Sequence, residues 1–121
     1  MVTMLSDGDV FAGVRERDRC CVRCAAGGAG VRLAIHHRQG QDRSNNSAPN
    51  LILLCEYGPD EPCHQWCHGH ARLARAGGWI VSRYVAPALI AAQPVLYRQP
   101  GLGRDGWYLL GEDLTLDGGQ R

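Results

Sequence analysis

The sequence predicts a single small α+β domain, and three observations carry that expectation. Two short runs, one alternating apolar with other residues and one apolar throughout, precede a stretch of helical character. The chain has only 121 residues, too few for two separate cores. It holds one Phe against sixteen Gly and six Cys, so large side chains are too scarce to fill an interior unaided. Six Cys and five His in so short a chain point to bound metal as the staple that replaces the missing bulk.

Taken in order, Ser6 or Asp7 can cap a first helix in which Val10, Phe11 and Val14 form one apolar stripe, ending near Asp18. Residues 19–24 read as a tight turn, and Gly27, Gly28 and Gly30 as a flexible connector. Val31, Leu33 and Ile35 alternate along a strand that closes on His36 and His37. Residues 39–49 are polar and form a loop, and the apolar run 50–55 is a buried second strand, so the two strands make a hairpin-like pair. A turn at 58–60 leads to a helix with Asp60 or Glu61 as cap, weakened at Gly69, running to about Ala76 and stopped by Gly77 and Gly78. Short strands are expected at 79–85, 95–98 and 107–110, and disorder over 115–121. The domain thus divides into a core at about 14–76 and a C-terminal extension at about 77–114.

The first ten residues carry Asp7 and Asp9 and no basic region ahead of an apolar run, which predicts no secretory signal. No stretch approaches the ~20 apolar residues that a bilayer demands, so no membrane association is expected. The expected location is a reducing cytoplasm, where clustered Cys serve more often as metal ligands than as disulfides. A net charge of +1 conceals segregation. Seven Arg face only Glu16, Asp18 and Asp42 over 15–43, and five Arg face no acid over 64–104. Every one of the thirteen basic residues is Arg, whose planar fork suits phosphate oxygens, a pattern compatible with a nucleic-acid backbone.

Cys21-x-x-Cys24 is a knuckle spacing that lets two thiolates converge on one tetrahedral ion, and Cys55 and Cys63 can complete a closed four-sulfur zinc site. Such a site has no open position and serves structure. On a helix, Cys67 or His70 shares a face with Cys63 and can take its place. His64 and His68, four residues apart, share a helical face that Arg72 and Arg75 continue, and both can bind one ion. Neighbours on a strand point to opposite faces, so only one of His36 and His37 can join them. Three imidazole ligands and one free imidazole are the parts of metal-assisted hydrolysis, an ion to polarise a phosphate and a base near neutrality.

At these residues the chain resembles the HNH endonucleases of the ββα-metal, or His-Me finger, superfamily, and within it the small free-standing phage-type members. The likeness spans about 14–76. It is carried by Arg17-Asp18 ahead of the cysteine knuckle, by Ile35-His36-His37-Arg38, by the run from Asn50 to Cys55, and by Cys63-His64-Gln65-Trp66-Cys67-His68. Seven residues separate Cys55 from Cys63 where many such domains have two, and Cys67 sits between the two helical ligands. The resemblance implies a zinc-stapled ββα-metal domain with an N-terminal helix and a short-strand extension. It implies His36, His64 and His68 as ligands of a catalytic divalent ion (Mg, Mn, Ni or Zn) and His37 as general base. Asn50 would orient the His37 imidazole by a hydrogen bond and brace the loop between the strands, while Cys21, Cys24, Cys55 and Cys63 hold structural zinc. The implied activity is one-metal hydrolysis of DNA phosphodiesters by a monomer, with homing, host-DNA degradation or packaging beside a terminase as open tasks. Arg38, Arg43, Arg72 and Arg75 are the expected contacts to the DNA backbone. The alternative is a zinc-stapled DNA-binding or interaction module without catalysis, which has no use for an unliganded His37.

Overall fold

The computed structural model describes residues 5–40, 45–57 and 61–120, and Arg43 lies outside them. Helix α1, Asp7–Asp18, opens on a reciprocal cap in which Ser6 Oγ accepts from Asp9 N (3.1 Å) and Asp9 Oδ2 accepts from Ser6 N (3.4 Å). Strands β1, Arg32–His37, and β2, Leu51–Tyr57, pair antiparallel with His36 opposite Ile52 and His37 opposite Leu51. Helices α2, Cys63–Gly69, and α3, Ala71–Ala76, follow. A second antiparallel sheet, in the order β3 (Val95–Gln99), β4 (Arg104–Leu110), β5 (Leu116–Gln120), closes the α+β domain.

Strand β2 is the axis of the core because both its faces are covered. Leu51 and Leu53 pack with Val10 and Val14 of α1. Ile52, Leu54 and Cys55 pack with the cysteine knuckle, α2, Trp79 and the second sheet. Burial at 0–1% exposure for Leu51 to Leu54 is worth about 1.5–3 kcal/mol per side chain. The two halves are also tied by a buried carboxylate. Asp18 accepts from Arg17 Nε (2.8 Å), from the Leu53 amide (3.0 Å) and from the Tyr97 hydroxyl, so α1, β2 and β3 meet on one residue.

Several expectations differ from the structure, the helix cap among them: Pro62, not Glu61, is the N-cap of α2, and Asp60 lies outside the described residues. The single helix from 61 to 76 is two helices, broken at His70 (φ −132°, ψ 54°). There the imidazole Nδ1 bonds the Trp66 carbonyl (3.0 Å), the acceptor that a continuous helix would give to the His70 amide. Residues 79–85 form an irregular turn rather than a strand. Their backbone groups are satisfied by the two residues that follow β1: Val81 N donates to Arg38 O (2.8 Å), and Gln39 Nε2 donates to Ser82 O (2.9 Å) and Val85 O (2.8 Å). The tail expected to be disordered supplies β5, with Leu110 opposite Leu116, after Leu114 packs against the α1 cluster. No helix among the described residues is long and apolar enough to cross a membrane.

Candidate functional site

The sulfurs of Cys21, Cys24, Cys55 and Cys63 all lie within 4.8 Å of one another, the set anticipated from spacing. Each comes from a different constraint. The knuckle turns back through Ala25, which stands at φ 65° and donates its amide to Cys21 O (2.8 Å). Cys55 arrives at the end of β2, and Cys63, opening α2, donates its amide to Cys55 Sγ (3.3 Å). Cys24 Sγ and Cys55 Sγ are 3.7 Å apart, close to the roughly 3.8 Å that a tetrahedral zinc with ~2.3 Å bonds imposes. A hydrogen bond with Cys63 and burial push Cys21 well above the usual thiol value, while that same bond first, and Arg23 further, hold Cys63 down to about 5. Burial pushes Cys55 up to about 11. A closed set of four soft donors, partly buried and crowded, fits a structural zinc.

Cys67 and His70 are not in that set. Cys67 is fully buried in the core, its thiol pushed up to about 12 by burial, and His70 stacks flat on Trp66 with centroids 4.7 Å apart. Sequence reasoning missed Arg23. Its guanidinium lies 3.5 Å from the Trp66 ring centroid and donates to Cys63 Sγ (3.4 Å), placing a cation beside the thiolates. Its place inside the knuckle was the only available signal.

The second set is His36, His64 and His68, whose ligand nitrogens also lie within 4.8 Å of one another. Ring centroids are 5.3 Å (His36–His64), 5.8 Å (His36–His68) and 5.1 Å (His64–His68). His36 Nε2 meets the Trp79 carbonyl at 2.8 Å, so that nitrogen carries the proton and Nδ1 keeps its lone pair. Burial lowers the His36 pKa to about 3, and burial followed by the neighbouring His68 lowers that of His64, so both stay in the neutral ligand form at neutral pH. Three imidazoles converging from a strand end and a helix fit a divalent transition metal.

His37 lies beside this set and outside it. Its Nε2 bonds Asn46 Oδ1 (2.7 Å), and Asn46 Nδ2 donates to Asp7 Oδ2 (3.1 Å) at the start of α1. An amide oxygen only accepts, so His37 Nε2 is protonated and Nδ1 is the free acceptor, with no hydrogen-bond partner among the described residues. The expectation that Asn50 orients His37 is corrected: Asn50 Oδ1 accepts from Gln39 N (2.8 Å) and Nδ2 donates to Asn45 O (2.9 Å). Its loop-bracing half does occur, and it fixes the residue next to Asn46. Nothing in the sequence separated Asn46 from its neighbours Asn45 and Ser47.

A cleft of about 620 Å³ is lined by His36, His37 and His68 together with Arg75, Arg83 and Tyr84, and a smaller one of about 270 Å³ reaches His64. Among the expected phosphate contacts, Arg75 borders the cleft and Arg72 is exposed on α3. Arg38 is a correction. It is fully buried, and it donates to the carbonyls of Pro49, Gly78 and Gln93 at 2.8 Å each, so its guanidinium is committed to the interior rather than presented to a ligand.

Fold and site together define a small α+β domain with two candidate metal sites among the described residues, a four-cysteine set and a three-histidine set facing a cleft. The chain matches no family model, no curated protein and no solved structure.

Proposed function

We propose that the chain is a metal-dependent endonuclease of the HNH type that hydrolyses DNA phosphodiesters. The observation that carries this reading is His37, an imidazole held beside three convergent imidazoles, with its Nε2 spent on Asn46 and its Nδ1 open. A divalent ion held by His36, His64 and His68 would supply Lewis-acid stabilisation of charge on a phosphate oxygen. The chain's own groups do the rest. His37 Nδ1 accepts a proton from the attacking water, and Asn46 fixes the tautomer that makes this possible. Asp7 orients the Asn46 amide, and Asn50 holds the loop that carries it. The Trp79 carbonyl sets the ring plane of His36. The order of β1, β2 and α2, with the histidines on the first strand and the helix, supports this reading.

A zinc-stapled DNA-binding module without catalysis accounts for the cysteines and the Arg content but leaves the chain from His37 through Asn46 to Asp7 without a task. A supercoiled-plasmid assay in Mg, Mn, Ni or Zn separates the two. His37→Ala is expected to lower cutting by about 10²–10⁴-fold while circular dichroism and zinc content match the wild type. Equal cutting by both proteins, or none by either in any of these metals, overturns the proposal.

A further inference from the structure

Part of the cleft wall is built by the extension, in the turn that replaces the expected strand at 79–85. Tyr84 there is 83% exposed, so its ring contributes little to folding. The Arg83 guanidinium lies 5.0 Å from that ring's centroid and donates to its hydroxyl (2.9 Å). The turn beneath them is fixed rather than loose. Gln39 clamps the carbonyls of Ser82 and Val85, Arg38 O holds Val81 N, and Ser82 Oγ accepts from Tyr84 N (3.3 Å). Arg75 faces the same cleft from α3, and neither it nor Arg83 has an acidic partner among the described residues. An exposed aromatic ring and two guanidinium groups without an acidic partner among the described residues thus stand on a rigid rim, in one cleft with His37 and His68.

We infer that Tyr84, Arg83 and Arg75 form a nucleotide-binding wall: the Tyr84 ring stacks on an unpaired base while the two Arg contact the phosphates on either side of it. The inference rests on the reading of this cleft as a nucleic-acid site, and it deepens that reading by naming the substrate class. A base within a duplex already has both faces covered by its neighbours, so a single protruding ring finds a stacking face only on an unpaired nucleotide. The favoured substrate is therefore a strand carrying unpaired bases, such as a single strand, a flap or a gap. The guanidinium groups add sequence-independent affinity that salt weakens.

The test is fluorescence anisotropy of the zinc-loaded full chain with a labelled oligonucleotide, presented single-stranded and as a duplex, in calcium. Tyr84→Ala is expected to weaken single-strand binding by about five- to hundredfold and to change duplex binding by less than about twofold. Tyr84→Phe, which keeps the ring, restores the single-strand affinity. Arg83→Ala weakens both substrates and lowers the single-strand salt slope by about 0.7. The position is exposed, so circular dichroism and zinc content are expected to match the wild type in each variant. Unchanged single-strand binding in Tyr84→Ala overturns the inference, as does an equal loss on single strand and duplex. The two proposals fail separately. If no metal supports cutting but Tyr84→Ala loses strand binding, the wall stands and the nuclease falls. If His37→Ala abolishes cutting while Tyr84→Ala binds and cuts as wild type, the wall falls alone.

Discussion

Arg38 shows what a residue's type conceals about its task. Placed next to the histidine doublet it looks like a phosphate contact, yet its fork is filled by carbonyls from residues 49, 78 and 93. Those acceptors are distant in sequence, so no local pattern announces them. Burial lowers its pKa to about 10, and it remains a cation at neutral pH that joins β1 to the extension. Arg38→Met is expected to destabilise the fold by about 3 kcal/mol or more, since several buried carbonyls lose their donors at once; urea unfolding measures it. A variant as stable as wild type but weaker on DNA would return Arg38 to the phosphate role. Asn46 is the converse case. Among Asn45, Asn46, Ser47 and Asn50 only the fold decides which amide meets His37, whereas the cysteine knuckle and the histidine spacing were legible because their geometry is local.

At the level of elements, the strand pair and the helical histidine face followed from periodicity, and the break at His70 did not, because a side-chain bond to Trp66 O overrides helix continuity there. The turn at 79–85 was illegible for a related reason: its backbone partners are Ala74 of α3 and the two residues that follow β1, Arg38 and Gln39, not a neighbouring strand. The junction of β1 with this turn also carries a pH dependence. The His36 pKa falls from 6.5 to about 3 on folding because the ring is buried, so the unfolded chain takes up the proton first. The stability contributed by neutral His36 is fully present above about pH 6.5 and is lost progressively as the pH falls towards 3. Denaturation midpoints across that range are expected to drop in the wild type and to drop less in His36→Gln, which keeps a donor for Trp79 O without the titration. Parallel curves for the two proteins would refute this assignment.

Over the whole molecule, two layers of apolar contact meet on β2, and the four cysteines join the N-terminal knuckle, the end of β2 and the start of α2. The chain's poverty in large side chains pointed to a staple, and the four cysteines do converge; that residues 116–120 complete a second sheet was not legible, because a chain end reads as disordered, whereas Gly118 and Gly119 stand at positive φ values within β5. The closed sulfur set and the open histidine set should also differ in how they release metal. Mild chelation is expected to remove the ion at the histidines with little change in melting temperature. Displacement of zinc from the thiols by a mercurial is expected to unfold the chain in step with zinc release, followed by absorbance and circular dichroism. Melting that is unaffected by loss of the thiol-bound zinc would show that the apolar layers suffice alone.

Cys63 and His64 are adjacent on the first turn of α2, one facing each ligand set. The helix therefore acts as a gear between the two: any rotation that reseats the sulfur carries both imidazoles through an equal angle. One inserted residue, harmless in most surface loops, would here swing His64 and His68 by about 100° away from His36. An insertion between Cys63 and His64 is therefore expected to cost one of the two ligand sets, whereas an exchange of side chain elsewhere on α2 leaves their relative orientation intact.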